Sequence, residues 1–174
     1  ERWQRAEESF KAAQMIPGHT NDAEAAKGIR RAKAGALLAA AEEARLKRNW
    51  QTVAENGEKA CRLLPDSLDA RTYRDLGRGQ LRLAQARQHI AAGEYDKALQ
   101  LTDQTPSGTP ETDVATVRET AAKGLQFNEL VALVEALLEQ QQWRAAQAKA
   151  VEAESLGVDA KRSEALVKRA TDRK

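Results

Sequence analysis

Four arginines, Arg71, Arg74, Arg78 and Arg82, are spaced by three, four and four residues, and His89 follows seven later. On an α-helix this spacing gathers the guanidinium groups into one stripe. Leu76, Leu83 and Ile90 repeat at seven on a different face. A planar guanidinium forks onto a carboxylate or phosphate through two parallel hydrogen bonds. Four in a row would suit an acidic peptide, a phosphate group or a nucleic-acid backbone. The same pattern also describes an ordinary solvated helix face, neutralised by acids on a neighbouring helix.

Other chemistry is sparse. The histidines are His19 and His89, and Cys61 is the single cysteine. No His-Glu-x-x-His or paired-cysteine pattern occurs, so no metal centre is expected. Gly77-Arg78-Gly79 runs on into Gln80-Leu81-Arg82, which departs from a dinucleotide fingerprint and lies in a helical pattern. Neither a phosphate-binding Gly-Lys-Ser/Thr loop nor a Gly-x-Ser-x-Gly elbow is present. With no catalytic pair and no cofactor motif, the expectation is a protein without enzymatic activity. Cys61, eleven residues after Trp50, reads as a buried, inert thiol.

The elements that would carry the stripe follow from composition. The 174 residues include 41% hydrophobic and 31% charged side chains but only 4% aromatic ones, with four prolines. Alanine is the commonest residue. Such a mixture favours helices and argues against sandwiches and barrels, which need β-branched residues and frequent turns. Lys and Arg number 28 against 26 Asp and Glu. That balance is too even for bulk charge to drive binding to nucleic acid or a membrane surface. No apolar run is long enough to insert in a membrane. Smaller basic clusters, Lys27/Arg30/Arg31/Lys33 and Arg45/Lys47/Arg48, lie towards the N-terminus, whereas 111–139 is net acidic.

The aromatics are few but ordered. Trp3, Trp50, Tyr95 and Trp143 are separated by 47, 45 and 48 residues. Small or medium residues follow at +3 (Ala6, Val53, Ala98 and Ala146), with further contacts at +7 and +10, which is one face of a helix. Pro17, Pro65 and Pro110 fall 14 or 15 residues after an aromatic, and Gly157-Val158 takes that place in the fourth unit. Asp22, Asp69, Asp113 and Asp159 come next, each suited to an N-cap or the first turn of a helix. Each unit therefore reads as a short helix, a turn and a long helix. The long helices are expected near 22–47, 68–92 and 112–141, with a shorter piece at 159–172. Gly93 reads as a left-handed C-cap. Gly28, Gly35, Gly77, Gly79 and Gly124 fall inside helices, where close helix crossing is the favoured reason over a kink.

The pattern of small, aromatic, small, bulky, small, then Pro resembles the tetratricopeptide-repeat (TPR) family. Gly93, Tyr95 and Ala98 carry it, as do Trp50, Val53, Ala60 and Pro65, and Trp3, Ala6, Phe10, Ala13 and Pro17. The resemblance implies an all-α, right-handed array of helical hairpins, a TPR-like α-solenoid. It would have about four units of roughly 46 residues, near 1–21, 22–67, 68–110 and 111–174, in a single domain. The family period is 34. An insertion of eleven residues, the excess in the shortest of the three separations, is three helical turns and keeps the faces of a lengthened helix in phase.

The resemblance implies a protein–protein interaction scaffold that takes a protein or peptide partner. The alternative is a module for polyanions or nucleic acid built on Arg71, Arg74, Arg78 and Arg82, with His89 at its end. Trp3 would lack a covering helix on one side. That suggests an excerpt of a longer protein, or a homodimer that buries the indole.

Overall fold

The computed structural model describes residues 2–16 and 22–172, so Pro17 and His19 lie outside the described residues. The chain is all-α. Its helices are α1 (Arg2–Gln14), α2 (Ala23–Leu46), α3 (Trp50–Leu63), α4 (Leu68–Ala91), α5 (Tyr95–Asp103), α6 (Glu111–Glu139), α7 (Trp143–Ser155) and α8 (Ala160–Thr171). The long elements match the expected ranges to within two residues. Trp50, Tyr95 and Trp143 are each the first residue of a short helix.

Helix starts follow the acidic residues. Asp22 caps α2 by accepting from the Glu24 and Ala25 amides at 2.9 and 3.4 Å, and Asp159 caps α8 by accepting from the Arg162 amide at 2.9 Å. Ser67 Oγ takes that part at α4, leaving Asp69 in the first turn. Asp113 likewise lies in the first turn of α6. α5, at 9 residues, is shorter than α3 and α7, at 14 and 13. It stops at Asp103 ahead of Thr105-Pro106, because a residue preceding proline is pushed out of the helical region.

One joint recurs ahead of each of these three aromatics. Arg48, Gly93 and Gln141 adopt left-handed conformations, with φ of 56°, 75° and 60°. The following amides, of Asn49, Glu94 and Gln142, reach back to the carbonyls of Ala44, His89 and Leu137 at 2.8–2.9 Å. The left-handed residues themselves donate to Arg45, Ile90 and Leu138 at 3.0–3.1 Å. This pair of bonds is the Schellman motif, which satisfies carbonyls that the end of a helix leaves free. The aromatic begins the next helix two residues after the left-handed one.

Packing divides the chain into two compact units: Glu1–Ala84 with Gln104–Asp113, and Gln85–Asp103 with Val114–Lys174. This partition runs through α4 and α6, whereas the sequence units divide at turns.

In the first unit, the fully buried Ala34, Ala60 and Ala70 meet Leu37, Leu38, Leu63 and Leu64. Cys61 packs at the edge of this cluster and is half-buried, less enclosed than its position suggested. α1 lies on α2 through two rings. A Cβ at Gly35 would fall 2.6 Å from the Trp3 indole, and one at Gly28 would fall 2.6 Å from the Phe10 ring. The seven-residue spacing of the rings matches that of the glycines. Trp3 is nevertheless 42% exposed and Ala6 half-buried. In α3 and α4 the backbones themselves approach, Gly57 against Arg74 and Gly77 against Ala54, with Val53 buried beside them.

In the second unit, Phe127, Leu130, Val131, Val134 and Leu138 of α6 form the core. They pack with Ala146, Ala150 and Ala153 of α7 and Leu166 and Ala170 of α8, with Trp143 packed against them. Tyr95 seats its ring on Gly124 of α6, and Ala98 beside it is fully buried. Trp3 and Tyr95 thus each seat on the long helix that follows their own short helix.

Candidate functional site

The arginine stripe lies on α4 as the spacing requires, but every member is engaged within the first unit. Arg71 donates through Nε and Nη2 to the Pro65 carbonyl at 3.1 and 2.8 Å. Arg74 forks onto Asp75 at 2.8 and 3.2 Å. Arg78 reaches Glu58 of α3 at 2.8 Å. Arg82 donates to the Gln104 carbonyl. Together with the bond from buried Gln80 to Asp113 at 2.6 Å, Arg82 ties the 104–113 segment to α4. His89, in the second unit, meets Glu94 at 2.6 Å beside the Gly93 joint. Lys97 and His89 together hold the Glu94 carboxyl below its usual range.

A tighter cluster in the first unit has no counterpart in the sequence reading. Arg45 forks onto Glu42 at 2.7 and 2.8 Å, and the Tyr73 hydroxyl donates to the same carboxylate at 2.9 Å. Three donors on one carboxylate hold the Glu42 pKa down to about 2. Burial and the Glu42 charge push the Tyr73 hydroxyl up. Glu42 and Tyr73 lie 31 residues apart, so no local motif announces the pair.

The second unit holds a cleft of about 870 Å³ over α6. The end of α4 forms one wall with Ile90 and Ala91, and the α7–α8 turn forms another with Leu156 and Val158. Thr120, Lys123 and Asn128 of α6, Asp159 at the α8 cap and Arg162 of α8 supply polar groups. Arg162 lies 5.7 Å from the centre of the Phe127 ring, and its Nη1 donates to Asn128 Oδ1 at 3.3 Å. Lys123 pairs with Glu119 at 2.7 Å.

No protein-family model, curated protein or solved structure matches this chain.

What the site can do follows from its own groups. Among the described residues no cluster of three metal-ligating side chains occurs, and no helix is long and apolar enough to cross a membrane. The cleft offers a guanidinium, an ammonium and a side-chain amide beside apolar residues, against one carboxylate, that of Asp159, which caps α8. It therefore suits recognition of an anionic, partly apolar ligand. Sequence reasoning passed over Arg162, Asn128 and Lys123. The available signal was Asp159: a cap at that position orients the first turn of α8 and brings Arg162 over Phe127, 35 residues earlier.

Proposed function

We propose that the chain is a protein–protein interaction scaffold, a TPR-like array of helical hairpins with extended long helices, and that it acts without catalysis. The observation that carries this reading is the open cleft of the second unit, a preformed recess on a helical frame with one guanidinium, that of Arg162, that no carboxylate pairs among the described residues. The recurring Schellman joint ahead of Trp50, Tyr95 and Trp143 supports the repeat character. Helical repeats present surfaces of this kind by stacking units that cannot bury their apolar faces alone.

Co-purification from the native source tests the reading. A protein partner retained in stoichiometric amount after nuclease treatment is the expected result. Absence of any such partner, or its loss with nuclease, would overturn it.

The polyanion alternative rests on the stripe. It is weighed by titrating a labelled oligonucleotide at about 50 mM salt, where phosphate-driven binding is strong. Binding that disappears in an Arg74→Gln/Arg78→Gln variant would favour that alternative. Because all four guanidinium groups already have acceptors, little binding is expected.

A further inference from the structure

Resting on the scaffold reading, we propose that the second-unit cleft is a receptor for an acidic, extended peptide segment. One carboxylate of the segment pairs with Arg162, and an adjacent apolar side chain lies on Leu156 and Val158.

The state of Arg162 is the starting point. Its backbone amide is taken by the Asp159 cap at 2.9 Å, which fixes the first turn of α8. Its guanidinium has the face of Phe127 at 5.7 Å and the Asn128 side-chain oxygen at 3.3 Å. Both contacts orient the group, but neither supplies a negative charge. No carboxylate is paired with this guanidinium among the described residues, in contrast to Arg74 and Arg78 in the first unit. Asp159, the one acid lining the cleft, has an oxygen committed to the helix cap. Lys123 adds a second positive charge, partly offset by Glu119, and the N-terminal end of α8 favours an anion in the same place.

The choice of a peptide follows from shape and charge count. A volume near 870 Å³ stands at the upper end of the range for small-molecule pockets. A lining that combines the apolar Leu156 and Val158 with the cationic Lys123 and Arg162 matches a chain whose side chains alternate in character. Two cations are too few for a nucleic-acid strand, whose affinity grows with the number of phosphates neutralised.

The probe is a fluorescein-labelled hexapeptide alternating leucine and glutamate, followed by anisotropy with the whole chain. Its counterpart carries glutamine in place of glutamate. Binding of the glutamate peptide is expected to weaken about tenfold or more with Arg162→Gln, as for loss of a charge-assisted pair. Asn128→Asp, which would neutralise the guanidinium in place, is expected to weaken it too. Circular dichroism checks that both variants remain folded. No binding by the wild type, equal binding of the glutamine peptide, or unchanged affinity in both folded variants would overturn the proposal. The scaffold reading fails separately. If Arg162→Gln captures the native partner as well as the wild type does, the cleft assignment falls and the scaffold stands. If neither captures a partner, the scaffold falls whatever the peptide does.

Discussion

At the scale of single residues, charge is mostly spent on internal contacts. Glu42 shows this best, since it serves Arg45 and Tyr73 at once. Its folded pKa, about 2, lies below the ordinary value of 4.5. A depressed carboxyl stabilises the fold above its unfolded pKa and loses that contribution as pH falls through the folded value. The melting temperature of wild type should therefore exceed that of Glu42→Gln at pH 7. The gap should close between about pH 4.5 and 2. A gap that stays constant with pH would contradict this account. Gln141 makes a second case. It holds a left-handed conformation at φ 60° that costs an L side chain about 1 kcal/mol, and glycine already fills the matching place at 93. Gln141→Gly should raise stability by about 0.5–1 kcal/mol in urea unfolding. The sequence displayed the arginines of α4 but not their partners. Arg71 and Arg82 end on backbone carbonyls, which residue spacing does not reveal.

At the scale of elements, helix positions were legible because periodicity, acidic caps and the Gly93 turn all agree locally. The seating of one helix on another was only half legible. Glycines inside helices signalled close approach, but which ring met which glycine depended on antiparallel register. α1 is the sharpest instance: none of its residues is buried, and it meets α2 through Trp3 over Gly35, Phe10 over Gly28 and a Glu7–Lys33 ion pair at 3.8 Å. Gly35→Ala would improve helix propensity in α2 by about 1 kcal/mol yet fill the space under the indole. The amides of α1 should then lose protection from hydrogen exchange while those of α2 keep theirs. Unchanged protection of α1 would show that the ring does not depend on the notch. The cleft escaped the sequence reading for a similar reason. It draws on the end of α4, the middle of α6 and the start of α8, and no pattern within one helix marks it.

At the scale of the whole molecule, the core is mostly alanine, so each buried side chain removes little area from water. Stability then leans on a few larger groups. Phe127 is the largest fully buried one. Phe127→Ala should cost about 3–5 kcal/mol in denaturant unfolding, far more than any alanine truncated to glycine. Such a change would also remove the ring beneath Arg162. The turns that join each short helix to the next long one have a consequence in time as well as in space. Contacts that close a hairpin join residues only a few tens of positions apart, as with Ala54 and Gly77, Tyr95 and Gly124, or Trp3 and Gly35. Loop closure over such short spans is entropically cheap, and chains with a low mean contact separation refold in about microseconds to milliseconds. Each turn can therefore serve as an independent starting point for folding. A hairpin can close without waiting for the distant ends of the chain to meet.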